Sequence, residues 1–112
     1  MKKKGKIVYR RTSSGNLIGE FCEDGSSNVY GCAANRTENL DNGNDAYTPD
    51  RFAATYREVW INEGEQQATV SNLTITRCSG EKYEYELEWG NSFRGKGYLV
   101  GDLLVCNYEE KR

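Results

Sequence analysis

The sequence predicts an all-β chain: a single antiparallel up-and-down meander of about eight strands forming a small barrel. Three observations carry this. Tyr83, Tyr85, Leu87 and Trp89 alternate strictly with Glu84, Glu86 and Glu88, a period of two that gives a strand one dry face and one wet face. Phe93, Gly95, Gly97 and Leu99 alternate in the same way with Arg94, Lys96 and Tyr98. The 112 residues include 12 Gly, one Pro and 12% aromatic residues, a globular, β-leaning composition of single-domain size.

Taken in order, Lys6–Arg11 is the first strand, carrying Ile7, Val8 and Tyr9, and residues 1–5 are a basic, frayed arm. Ser13-Ser14-Gly15-Asn16 is a turn. Leu17–Cys22 is the second strand, with Leu17, Gly19 and Phe21 on one face. After a turn at Glu23–Ser26, Asn28–Ala34 is the third. Residues 35–47 are a long polar loop rich in Asn, Asp and Gly. Asp41-Asn42-Gly43-Asn44-Asp45 approaches a calcium-loop spacing, but no Glu follows at the required offset, and no metal is assigned there. Thr48-Pro49-Asp50 has the pattern of a helix start, so one short helix is expected within 49–60, placed at 49–53 and followed by a strand over 54–61; Phe52, Tyr56, Val59 and Trp60 also recur at helical spacing, which leaves one continuous helix as the alternative. That strand turns through Asn62–Gln67 into Ala68–Cys78.

The last third carries its own register. A three-residue loop at Gly90-Asn91-Ser92 sets Trp89 opposite Phe93, Glu88 opposite Arg94 and Glu86 opposite Lys96. A two-residue loop would mix the faces. The same register sets Gly95 opposite Leu87 and Gly97 opposite Tyr85, small against large, as a strongly curved sheet requires. Gly101-Asp102 suits a two-residue turn, with Leu99 opposite Leu104, Gly97 opposite Cys106 and Gly95 opposite Tyr108. On the other side, a Ser79-Gly80-Glu81 loop sets Ile75 opposite Tyr85, Leu73 opposite Leu87 and Arg77 opposite Tyr83.

Charge is uneven. Six of the 15 Lys and Arg lie in residues 1–11, which hold no acid; the other nine face 17 Asp and Glu, a net −8. Such a body repels a phosphate backbone, so nucleic acid is not the expected partner. No apolar run approaches membrane-spanning length and the N-terminus lacks a signal-peptide core, so the chain reads as cytoplasmic, although a trimmed secreted domain would look the same. Cys22, Cys32, Cys78 and Cys106 have no C-x-x-C spacing and there is no His, which argues against zinc. The four read as free thiols, or, in an oxidising compartment, with Cys22 bridged to Cys32. No cofactor fingerprint or catalytic motif is present, and no cofactor is expected.

Two charges fall oddly. With 54–61 as a strand, Glu58 and Arg77 both project to the aromatic side, beside Tyr56, Trp60, Tyr83 and Tyr85. A charge on a dry face must be paired or near water. Glu58, Trp60, Arg77, Tyr83, Tyr85 and Trp89 are therefore the candidate ligand-binding residues. The two tryptophans also read as core packing, and Arg77 as a barrel-end residue stacked on Tyr83. On the opposite face, Tyr98, Val100, Leu103 and Val105 form an apolar stripe that needs covering and is the candidate homodimer interface.

Tyr56-x-x-x-Trp60, Leu73-Thr-Ile75, Tyr83-x-Tyr-x-Leu-x-Trp89, Phe93-x-Gly-x-Gly97 and Gly101-Asp-Leu-Leu-Val-x-x-Tyr108 together resemble small β-barrel proteins of the avidin/lipocalin-like kind. The resemblance covers about residues 54–108. It implies a barrel that takes a small hydrophobic or aromatic ligand in its mouth, and self-association in some members. A biotin-binding set cannot be matched residue by residue and is not implied. Three functional expectations follow. The first is a non-catalytic module binding a small amphipathic or aromatic ligand. The second is a homodimeric structural or interaction protein. The third is a His-free barrel enzyme of the cyclase or isomerase kind, which requires a buried, pKa-shifted Glu58.

Overall fold

The computed structural model describes residues 2–37, 52–62, 64–79 and 84–111. Within them lie eight strands: β1 (Lys4–Arg11), β2 (Leu17–Glu23), β3 (Tyr30–Arg36), β4 (Ala54–Trp60), β5 (Thr69–Arg77), β6 (Tyr85–Trp89), β7 (Phe93–Val100) and β8 (Leu103–Glu110). Each pairs antiparallel with the next, and β8 pairs with β1 from Lys4↔Glu109 to Arg10↔Leu103, which closes the barrel. Closure matters because an open sheet leaves a row of unpaired backbone donors and acceptors at each edge.

The period-two pattern becomes an inside and an outside. Ile7 and Tyr9 of β1, Leu17 and Phe21 of β2, Tyr56 of β4, Leu73 and Ile75 of β5, Leu87 of β6 and Leu104 of β8 are all buried. The residues between them face outward, among them Glu20, Arg57, Thr74 and Glu88.

The two C-terminal hairpins have the expected registers. Trp89 faces Phe93, Leu87 faces Gly95 and Tyr85 faces Gly97; Gly97 faces Cys106 and Leu99 faces Leu104. Two glycines explain the curvature. A Cβ on Gly95 would run into the Asn107 carbonyl oxygen, and one on Gly97 would come to 2.6 Å from Cys106 Sγ. The strands can approach this closely only where one side chain is missing. Gly101 opens the β7–β8 turn at a φ of 62°, a conformation a Cβ disfavours.

The β5–β6 register differs from expectation. Ile75 faces Leu87, Leu73 faces Trp89 and Arg77 faces Tyr85, a slip of two residues, with the Cys78 N–H donating to the Glu84 carbonyl at 2.8 Å. A slip of two keeps every side chain on its face, so hydrophobic patterning cannot distinguish the two registers. Tyr83, expected opposite Arg77, lies outside the described residues. Strand β3 begins two residues later than expected, because its ladder with β2 starts at Phe21↔Tyr30 and Val29 stays exposed. Strand β1 begins earlier and takes in Lys4 and Gly5 of the basic arm, which pair with Glu109 and with Glu23 and Tyr108.

Residues 54–60 are a strand, as expected, and no helix occurs among the described residues. The helical turn placed at 49–53 falls mainly outside those residues; Phe52 and Ala53 within them are not helical. The polar loop at 35–47, with its near-calcium spacing, lies outside them from residue 38 on. Cys22 and Cys32 cannot bridge. Cys32 is buried inside the barrel, whereas Cys22 lies on the other face of β2 with its thiol toward the Ser26 carbonyl. All four cysteines are free.

One end of the barrel is packed around Phe52. Phe52, where the described chain resumes before β4, is buried and stands edge-on to Tyr85, with ring centres 6.1 Å apart. Its carbonyl accepts the Tyr56 hydroxyl at 2.7 Å. The other end holds the cavity.

Candidate functional site

The site grows from one residue. Glu58 sits in the middle of β4 between Tyr56 and Trp60, and the strand's alternation turns it inward. It is the one buried charged side chain among the described residues, 1% exposed. A carboxylate taken out of water needs hydrogen-bond donors on both oxygens, and the barrel supplies them from across its interior. The Tyr9 hydroxyl of β1 donates to Oε2 at 2.7 Å, and the Trp89 indole N–H of β6 donates to Oε1 at 2.6 Å. The same indole N–H lies 3.2 Å from the Tyr9 oxygen, so the three side chains form a closed ring. The Cys32 thiol of β3 also donates toward the carboxylate.

The electrostatics follow from burial. Desolvation raises the pKa of Glu58 above the ordinary carboxylate range, and the bonds from Tyr9, Cys32 and Trp89 oppose that rise without cancelling it. Glu58 in turn acts on its neighbours. Burial first, and then the Glu58 charge, push the Tyr9 hydroxyl and the Cys32 and Cys106 thiols well above their usual values.

Above this floor is a cavity of about 40 Å³, lined by Ile7, Phe21, Cys32, Glu58, Trp89 and, toward its rim, Glu23, Trp60, Asn62, Phe93 and Tyr108. At about 10–15 Å³ per water position, that is room for roughly three waters, the size of a polar head group rather than of a whole drug-sized ligand. The walls are aromatic, and their rings meet as corners. Tyr108 stands edge-on to Phe21, Trp89 and Phe93, with ring centres 6.4, 6.3 and 5.7 Å away. Burial, then the charge of Glu23, raise the Tyr108 hydroxyl's pKa, so a second carboxylate reaches the rim. Trp60 is fixed there by its indole N–H, which donates to Asn62 Oδ1 at 3.0 Å.

Of the residues expected from sequence, Glu58, Trp60 and Trp89 meet at this end. Tyr85 is buried at the packed end beside Phe52, and Arg77 is exposed there, its guanidinium 5.6 Å from the Tyr85 ring centre. Arg77 and Glu58 therefore do not share a pocket: β5 runs away from the mouth, and Arg77 stands at its far end. Its stacking on an aromatic ring matches the structural expectation, with Tyr85 in place of Tyr83. Sequence reasoning missed Tyr9 and Cys32. Tyr9 was legible as an inward residue of β1, but its meeting with Glu58 depends on barrel closure. Among the described residues no group of His, Cys, Asp and Glu stands close enough to hold a metal ion.

Fold and site together define a small closed antiparallel β-barrel with a buried carboxyl at the bottom of an aromatic mouth. Comparison with family models, with curated proteins and with solved structures gives no significant match.

Proposed function

We propose that this protein is a non-catalytic binding module of the avidin/lipocalin-like kind, taking the head of a small amphipathic or aromatic ligand into the barrel mouth. The observation that carries the proposal is Glu58. A carboxyl costs stability in a barrel interior unless it is hydrogen-bonded and paired with a cation, and this one, hydrogen-bonded to Tyr9 and Trp89, faces a cavity walled by Trp60, Trp89, Phe93 and Tyr108. The aromatic walls supply area and Glu58 supplies orientation, the usual division of labour in a ligand pocket. Burial and a raised pKa also meet the requirement set for an acid–base enzyme. Binding is favoured because both Glu58 oxygens are already engaged by Tyr9 and Trp89, and a cavity for roughly three waters does not enclose a reacting molecule.

Native mass spectrometry of the recombinant protein tests this. A non-covalent extra mass that disappears on denaturation, and that Trp60→Ala reduces while Arg77→Ala does not, is the expected result. A bare protein whose tryptophan fluorescence responds to no small amphipathic compound would overturn it.

A second reading has its own observation. Tyr98 and Val100 are 51% and 53% exposed, Leu103 is exposed beside Val100, and Val105 is half-buried opposite Tyr98. This apolar face supports a homodimer formed by sheet packing. Val105→Glu is expected to give a monomer with unchanged ligand binding, read by size-exclusion chromatography with light scattering.

A further inference from the structure

The charge balance of the mouth narrows the ligand's chemistry, on the assumption that the mouth is a ligand pocket. Among the described residues the cavity is lined by two carboxylates, Glu58 at the floor and Glu23 at the rim, and by no Lys or Arg. Five aromatic side chains make up most of the remaining wall: Phe21, Trp60, Trp89, Phe93 and Tyr108. Tyr108 meets Phe21, Trp89 and Phe93 at interplanar angles of 76°, 69° and 82°, so the rings form a box and not a stack. Ring faces carry negative potential and attract a cation that has left water. An anion would meet the two carboxylates, Glu58 and Glu23. A neutral head would leave the buried charge of Glu58 unbalanced.

We propose that the mouth binds a primary or methylated ammonium group, seated among the Trp60, Phe93 and Tyr108 rings with its charge directed at Glu58, while the apolar body of the ligand lies against the rim. The cation supplies the counter-charge that Glu58 lacks in its three-donor setting. The space suits it: about 40 Å³ accepts an ammonium carrying one or two small substituents. The groups that face Glu58 are Tyr9 from β1, Cys32 from β3, Trp89 from β6 and Cys106 from β8. Glu23, at the end of β2, is the second carboxylate that lines the site.

The test uses the full chain and three probes of one shape: benzylammonium chloride, benzyl alcohol and sodium benzoate, at fixed ionic strength. Trp60 and Trp89 are the protein's two tryptophans and both line the cavity, so intrinsic fluorescence reports the site, with calorimetry as a check. Benzylammonium is expected to bind at least about tenfold more tightly than benzyl alcohol, and benzoate not to bind. Glu58→Gln should weaken benzylammonium by at least roughly 30-fold, the range for losing one partner of a buried charge pair. Glu23→Gln should weaken it a few-fold, and Trp60→Leu by roughly 2- to 30-fold, the span of a cation–ring contact. These last two rim variants carry the test should Glu58→Gln fail to fold. Benzyl alcohol binding as tightly as benzylammonium, with both indifferent to the carboxyl variants, would overturn the ammonium assignment and leave the pocket standing. Tightest binding of benzoate would do the same. No response to any of the three would remove the pocket together with the ammonium site.

Discussion

The two ends of this barrel are built from the same materials and do different things. At the packed end, Phe52 covers Tyr56 and Tyr85, and the buried Tyr56 hydroxyl is satisfied by the chain's own Phe52 carbonyl. At the mouth, Trp60, Trp89, Phe93 and Tyr108 surround a cavity, and the buried polar group is an acid whose donors come from β1, β3 and β6. One end ends in backbone and apolar contact; the other ends in charge and open volume. The lesson is that aromatic content does not distinguish core from site. What distinguishes them is whether the polar group among the rings is ionisable and borders open volume, as Glu58 does and the Tyr56 hydroxyl does not.

The largest expected effect breaks the packed end. Phe52→Ala should cost about 3–5 kcal/mol in denaturant unfolding, because a buried ring is replaced by a void. The mouth should be untouched, so ligand affinity at temperatures where the variant is folded should match the parent. A matching loss of affinity would show the two ends to be coupled.

Tyr9→Phe attacks the mouth from β1. It removes the donor to Glu58 Oε2 and leaves a buried carboxyl oxygen with one partner fewer, at a cost of about 1–3 kcal/mol. Trp89 donates to both members of the pair, so a shift in tryptophan emission should accompany the loss. Unfolding at neutral pH, followed by fluorescence, measures both.

The pH dependence of stability sharpens the contrast further. The folded-state pKa of Glu58 lies above its unfolded value because burial penalises the charge. Between those two values the folded protein holds a proton that the unfolded chain has released. Stability therefore falls as pH rises through that window and is insensitive to Glu58 below it. Glu58→Gln should abolish that fall, so that it is relatively more stable than the parent above the window. Denaturation curves for the two proteins across the acid-to-neutral range measure it, and a parallel pair of curves would mean that Glu58 is not penalised.

The smallest effect belongs to Arg77. Its guanidinium stacks on Tyr85 at an exposed strand end, worth about 0.5–1 kcal/mol. Arg77→Ala should lower stability by that amount and leave binding at the mouth unchanged. Lost binding would return Arg77 to the site.

Much of this architecture is decided locally and can be read from the chain. Alternation assigned Tyr85, Leu87, Trp89 and Gly97 to the interior, loop length set the β6–β7 and β7–β8 registers, and β4 was legible as a strand that turns Glu58 inward. Face assignment depends only on parity, and parity survives errors in strand ends. What parity cannot fix is a slip of two, and the β5–β6 register, with Arg77 opposite Tyr85, is such a slip from the expected one. Nor does any local pattern bring β1 to β8. Closure carried Tyr9 across the interior to Glu58 and set Trp89 beside both. Arg77 and Glu58 are parted by the β4–β5 register, which sets Glu58 opposite Ser71 and Ala54 opposite Ile75 and so leaves Arg77 beyond the start of β4. The sequence by itself determined a half-dry strand set with an acid on the dry side; only the tertiary structure decided which donors that acid meets, since those donors are distant in sequence and adjacent only across a closed barrel.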